Sequence, residues 1–279
     1  MKKVAVIALL VACAAGAWLI QRGGGMHTRA LVHATAPSPA AEMIVAGLGG
    51  FRGVVSEVVW FRADRLQDEG RYGELAQLAT WLTYLEPHTP EVWAYMAWNL
   101  AYNVSVMMPT PADRWRWVEA GMRLLRDDGL TFNPDNPELY RELAWLFLLK
   151  LGGGMDSAAD YYKAEWRREI EKAQAKNDWS NLKMDPAKMA EVDIAYGQQD
   201  WTNPYASALY WGREGLSVAV KPEHRRELRQ IVYQTLMMET RSNPKFAAAT
   251  LRELQAAYEE FPHPGLKDII NHFRRERGL

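Results

Sequence analysis

A segment of the form Pro-x-x-Pro-Glu-[Val/Leu]-[Trp/Tyr]-x-x-[Met/Leu]-Ala-Trp occurs twice in this chain. The first copy is Pro87, Pro90, Glu91, Val92, Trp93, Met96, Ala97 and Trp98; the second is Pro134, Pro137, Glu138, Leu139, Tyr140, Leu143, Ala144 and Trp145. The copies begin 47 residues apart. An internal repeat constrains the fold more than any propensity does. A unit this short cannot bury its own apolar face, so it must stack on neighbours, and stacked units make a solenoid with a continuous groove.

Composition sets the outer bounds. The 279 residues are 48% hydrophobic and 24% charged, ordinary for a folded globular chain. With a formal net charge of -1, nothing global suggests nucleic acid, whose binders usually carry a marked basic excess. Tryptophan is unusually frequent, at 12 residues. Indole rings suit helix-on-helix packing and also ligand platforms. The single cysteine, Cys13, lies in the N-terminal apolar run, so the body can form no internal disulfide.

Lys2 and Lys3 precede an uncharged run of 17 residues, Val4 to Ile20, which Gln21, Arg22 and three glycines end. As a helix it spans roughly 25 Å, marginal for a bilayer core of about 30 Å. The favoured reading is a retained N-terminal membrane anchor within residues 1–22. A cleaved secretory signal fits the small residues Ala12, Ala14, Ala15 and Ala17. A lipoprotein signal fits Leu10-Val11-Ala12-Cys13, which would make Cys13 the lipidated residue. All three leave the positive end in the cytoplasm and export the body. The expected location is therefore a bacterial inner membrane with the body in the periplasm. Residues 23–42, rich in Gly, Ala, Ser and Pro, read as a flexible linker, and residues 43–279 as the folded domain.

From Met43 onward the apolar spacing is helical, without strict alternation. Helices are predicted over about 51–69, 72–85, from Pro90 past Ala101, 112–129, 138–150, 156–176, 204–219, 222–241, 244–260 and 264–275. On the first, Val55, Val58, Val59, Ala63 and Leu66 are expected on one face. Residues 177–203 read as least regular, with Asp185-Pro186 starting a short helix. Gly70, Gly129 and Gly152-Gly153-Gly154 serve as stops, and Pro90, Pro222, Pro244 and Pro264 mark helix starts.

The stretch from about 59 to 151 resembles the tetratricopeptide repeat family. Ala63, Leu66, Gly70, Tyr72 and Pro87 match one unit of that motif. Trp93, Met96, Ala97 and Pro134 match a second, Tyr140, Leu143 and Ala144 open a third, and Ala257 with Pro262 marks a weaker fourth. The second unit is longer than the family's 34 residues, the excess falling near Pro109–Pro111. The resemblance implies an all-α fold: antiparallel helix pairs stacked as a short right-handed solenoid. It also implies a concave groove lined by the first helix of each unit. The implied partner-binding residues are Trp60, Asp64, Asp68, Trp98, Tyr102, Arg141 and Trp145, with Glu57, Gln67 and Glu138 beside them.

Other clusters read as structural. Asn99 and Asn103 share a helical face. Adjacent positions of Arg114-Trp115-Arg116-Trp117 point to different faces of a helix, so the segment reads as a half-buried helix rather than a single platform. Asp127-Asp128 reads as a solvated face, and the charged run 163–176 as a self-supporting solvated helix. The six histidines show no zinc spacing, and no nucleophile elbow, Walker loop or dinucleotide fingerprint is present. The expected function is a non-catalytic, envelope-tethered adaptor that holds a protein or peptide in assembly of a membrane complex, with neither cofactor nor metal. The alternative is a glycan-binding or glycan-cleaving helical protein. It would require a cleft with two carboxyl groups roughly 5–10 Å apart, flanked by exposed tryptophan.

Overall fold

A computed structural model of the chain describes residue 47, residues 52–154 and residues 156–278, all within one contact unit, Pro37–Leu279. The expected anchor, the linker and Cys13 lie outside the described residues. Among the described residues every regular element is helical, as the spacing predicts. We number them α1 (Arg52–Asp68), α2 (Tyr72–Leu85), α3 (Pro90–Trp98), α4 (Pro111–Arg123), α5 (Pro137–Trp145) and α6 (Ala159–Lys176). There follow α7 (Pro186–Tyr196), α8 (Pro204–Val218), α9 (Pro222–Ser242), α10 (Ala247–Glu260) and α11 (Pro264–Arg277). None is both long and apolar enough to cross a membrane.

The punctuation is chemical. Proline occupies the first turn of α3, α4, α5, α7, α8, α9 and α11. Its missing N–H costs nothing there. Thr110, Asn136, Asp185 and Asn203 accept from the following backbone amides and cap α4, α5, α7 and α8. Gly70, at φ 68°, ends α1 in a left-handed turn. Arg71 N–H then reaches Leu66 O at 2.8 Å and Gly70 N–H reaches Gln67 O at 3.0 Å, so α2 folds back on α1.

The two copies of the sequence repeat fold alike. Each opens on proline as a nine-residue α-helix, α3 or α5, and then widens into a six-residue π segment, Asn99–Val104 or Leu146–Leu151. In each, the aromatic residue after the Glu donates to the carbonyl of the first proline: Trp93 Nε1 to Pro87 O at 2.9 Å, and Tyr140 Oη to Pro134 O at 3.0 Å. α4 likewise passes into a π segment, Leu124–Gly129, and then a last α turn, Leu130–Phe132, so the helix runs past Gly129, expected as its stop.

The main core gathers Trp93, Leu139, Leu143, Phe147, Trp166 and Leu209 with their neighbours. A smaller core of Ala63, Leu66, Leu75, Leu82, Val92 and Met96 fastens α1 and α2 to α3. α3 lies against α5, α5 against α8 and α9, and α9 against α10. Two glycines of α8 bring α5 and α9 together. A Cβ on Gly215 would lie 2.8 Å from the Tyr140 Cβ and 2.7 Å from Leu228; one on Gly212 would lie 2.9 Å from Val232. At those positions α8 presents bare backbone.

Three details depart from expectation. Val58 is exposed rather than facing the core, as are Val54 and Phe61; Ala63 and Leu66 carry the buried edge of α1. The charged run 163–176 is not solvated all round: α6 buries Trp166, Ile170 and Ala173 in the main core. The stretch 177–203, in contrast, does hold the short helix expected from Asp185-Pro186: α7 is capped by Asp185 and ends at Gly197. Asp127-Asp128 is only half exposed. Asp127 pairs with the buried Arg126 at 2.6 Å, and Asp128 is pushed up to about 6, by burial first and by Asp127 second.

Candidate functional site

A cavity of about 500 Å³ opens between α3, α5 and α9. Ala94, Tyr95 and Trp98 line it from α3, Arg141, Glu142 and Trp145 from α5, and Glu227, Gln230 and Ile231 from α9. Each triplet has helical spacing, so one face of each helix meets the cavity. The α3 and α5 triplets are also equivalent in the repeat: Ala94 and Arg141, Tyr95 and Glu142, and Trp98 and Trp145 each lie 47 positions apart. Both copies therefore present the same three positions to one space.

Charge in the cavity centres on Arg141. Its Nη1 donates to Glu227 Oε2 and its Nη2 to Glu142 Oε1 at 2.6 Å, with Glu138 Oε1 at 3.5 Å. Burial works against the Arg141 charge, but Glu142 and Glu227 outweigh it and hold the guanidinium above its usual value. Burial is also the main reason the Glu138 carboxyl is raised. Arg141 opposes that shift, Glu91 and Glu142 add to it, and His224 opposes it. One guanidinium thus faces three carboxyl groups, and the excess is negative.

The aromatic side is built in depth. Trp98 is 43% exposed at the cavity, and its ring stacks on Tyr102 with centroids 5.7 Å apart and planes 25° apart. Lys150 Nζ sits 5.2 Å from the centre of the Tyr102 ring. The buried Lys150 is itself held by Asp156 at 2.6 Å. Asp156 also accepts from Arg114 at 3.3 Å, Tyr162 Oη at 3.1 Å and the Ala158 amide at 2.9 Å. Burial alone would raise the Asp156 carboxyl; Lys150, Ala158 and Tyr162 together hold it below its ordinary value. On the other flank Tyr95 donates to Gln67 of α1 and packs against Trp60, with centroids 5.4 Å apart.

Of the seven groove residues expected from sequence, Trp98, Arg141 and Trp145 line the cavity. Tyr102 supports it from below and Trp60 from beside. Asp64 and Asp68 stay exposed on α1, outside its lining, because Ala63 and Leu66 turn the opposite edge of that helix inward. Sequence reasoning missed the whole α9 wall. An ion pair between residues 86 apart, Arg141 and Glu227, has no local signature. Tyr95 and Glu142 had one, since they fill the variable positions of the repeat beside the retained tryptophan.

Neighbouring features resolve as structure. Asn103 Nδ2 donates to Asn99 Oδ1 at 3.1 Å, so the two amides satisfy each other in part. Trp115 and Trp117 are both buried, while Arg114 reaches Met108 O and Arg116 reaches Asp113. Among the described residues no group of three His, Cys, Asp or Glu side chains could hold a metal. No protein family, curated protein or solved structure matches the chain.

Proposed function

We propose that this protein is a non-catalytic adaptor, tethered to the bacterial inner membrane by residues 4–20, whose periplasmic body holds a partner polypeptide during assembly of a membrane complex. We read its fold as a short right-handed solenoid of tetratricopeptide-like helix pairs. One observation carries the reading: equivalent positions of two repeat copies, ending in Trp98 and Trp145, line a common cavity. A stacked repeat that binds along its first helices has this property. A half-exposed tryptophan beside an arginine also matches the residue types that dominate protein interfaces.

The exposed Trp98 beside carboxylates also suits a glycan-facing site. Cleavage of a glycan needs one carboxyl that donates a proton and another that acts as base or nucleophile. Here both cavity carboxylates, Glu142 and Glu227, accept from the same guanidinium. Two carboxylates tied to one guanidinium make a fixed polar surface, and that supports binding.

The test is in-cell crosslinking of the tagged full-length chain, with captured molecules identified by mass spectrometry. A stoichiometric membrane-protein partner, lost in Trp98→Ala and Trp145→Ala, is the expected result. Recovery of the protein alone, or of the protein with attached cell-wall glycan, would overturn the reading.

A further inference from the structure

We propose that the cavity between α3, α5 and α9 recognises a hydrogen-bonding cation, a lysine or arginine side chain of the partner polypeptide. That the cation belongs to a polypeptide rests on the adaptor reading; its charge rests on the site alone.

The argument begins with the charges in and around the cavity. Among the described residues that line the cavity Arg141 is the one cation, and Glu142 and Glu227 already accept from it. Glu138 closes on the same guanidinium at 3.5 Å. Glu91 and His224 stand near Glu138, the first adding negative charge and the second opposing it. An incoming anion would meet uncompensated carboxylates, and Arg141 offers it no unshared charge. An incoming cation meets acceptors: Glu142 and Glu227 each bind Arg141 through a single oxygen.

The aromatic wall points the same way. Indole is the best cation–π acceptor among side chains. Trp98 has one face on Tyr102 and remains 43% exposed. Trp145 and Tyr95 line the same space. A long basic side chain can lay its methylene stem on such rings while its head reaches the carboxylates. At about 500 Å³ the cavity falls in the size range of ordinary ligand pockets. The carboxylates distinguish between cations. They reward N–H donors, so a quaternary ammonium would use the rings alone.

The experiment labels the full-length chain with fluorotryptophan in detergent micelles and assigns the Trp98 and Trp145 fluorine signals from Trp98→Phe and Trp145→Phe. The probes are capped arginine amide, capped lysine amide, capped norleucine amide, capped glutamate amide and tetramethylammonium. Capped arginine and lysine should move both signals at concentrations on the order of millimolar. Glu142→Gln with Glu227→Gln should weaken that binding roughly tenfold, as should added salt. Both carboxylates are partly exposed, so these variants leave the core untouched. Equal response to norleucine or glutamate overturns the inference, as does tetramethylammonium binding as tightly as capped lysine. The two readings fail separately. If crosslinking captures a Trp98-dependent partner while no cation moves the signals, this inference falls and the adaptor stands. If cations bind and no partner is captured, the cation site stands and the adaptor falls.

Discussion

Tyr102 shows how one side chain can serve both the site and the core. Its ring carries Trp98 on one side and lies near Lys150. Its hydroxyl is buried with no hydrogen-bond partner among the described residues, and burial raises its pKa. A buried polar atom without a partner is a cost. Tyr102→Phe is therefore expected to hold or raise stability, by up to about 1 kcal/mol. Tyr102→Ala removes the support under Trp98 and should cost about 3 kcal/mol. Urea unfolding of the two variants checks both. Glu239 makes a second case. It is 4% exposed, Oε2 has no partner among the described residues, and burial pushes its carboxyl up to about 8, with Lys245 opposing and Asp200 adding. From its ordinary value of 4.5 upward the unfolded chain gives up this proton first. The contribution is complete in acid and is lost as pH rises through about 8. Glu239→Gln should stabilise the fold by roughly 2 kcal/mol at about pH 8 and by much less at about pH 5. A thermal melt series across that range measures it; a difference that does not grow with pH would refute the assignment. Neither residue could be read this way from sequence. Helical spacing says that a position faces inward, not whether a partner waits there.

At the scale of elements, the repeat is the part that sequence made most legible. The prolines, the aromatic after each Glu and the terminal tryptophan all occupy equivalent places in α3 and α5. The π segments were not legible, because a π turn adds one residue to the backbone pitch and no residue type demands it. Helix ends came out well at Gly70 and Pro204, but not at Gly129, which stays in right-handed helical geometry while the chain continues as helix to Phe132. In 177–203 the start of α7 at Asp185-Pro186 was legible too; the turns before it were not, because Asn177 and Lys183 are left-handed residues that are not glycine. The repeat also shows where copies diverge in energy. Asn136 accepts from the amides of Glu138 and Leu139, at 3.0 and 3.1 Å, whereas its counterpart Thr89 caps α3 with no side-chain bond. Asn136→Ala should cost about 1 kcal/mol, and Thr89→Ala less than about half of that. Equal losses in parallel denaturation curves would show that the caps do not differ. The cavity uses the two variable positions inside each copy: where α3 has Ala94 and Tyr95, α5 has Arg141 and Glu142. The repeat keeps the tryptophan and changes its surroundings, which is how a duplicated scaffold acquires an asymmetric site.

For the molecule as a whole, the decisive event is the arrival of α9 beside α5. An amphipathic stripe on α9 shows that Leu228, Ile231 and Val232 turn inward, but not which helix they meet. The glycines of α8 supply that information in three dimensions. Gly215 stands between Tyr140 and Leu228, with no room for a Cβ against either. Gly215→Ala should therefore push α9 off α5, costing roughly 1–3 kcal/mol, and should lower crosslinked capture of the proposed partner as the third wall of the cavity moves away. Glu227 offers the opposite combination. Its carboxylate pairs with Arg141 at the rim with 41% of its side chain exposed, and such pairs contribute about 1 kcal/mol or less. Glu227→Lys should leave unfolding almost unchanged and yet place a second cation beside Arg141, so that capture falls about tenfold or more. The two variants together separate holding the site open from acting in it. If Glu227→Lys destabilises the protein as much as Gly215→Ala does, the ion pair belongs to the scaffold. If it leaves both stability and capture intact, the cavity is not where the partner binds.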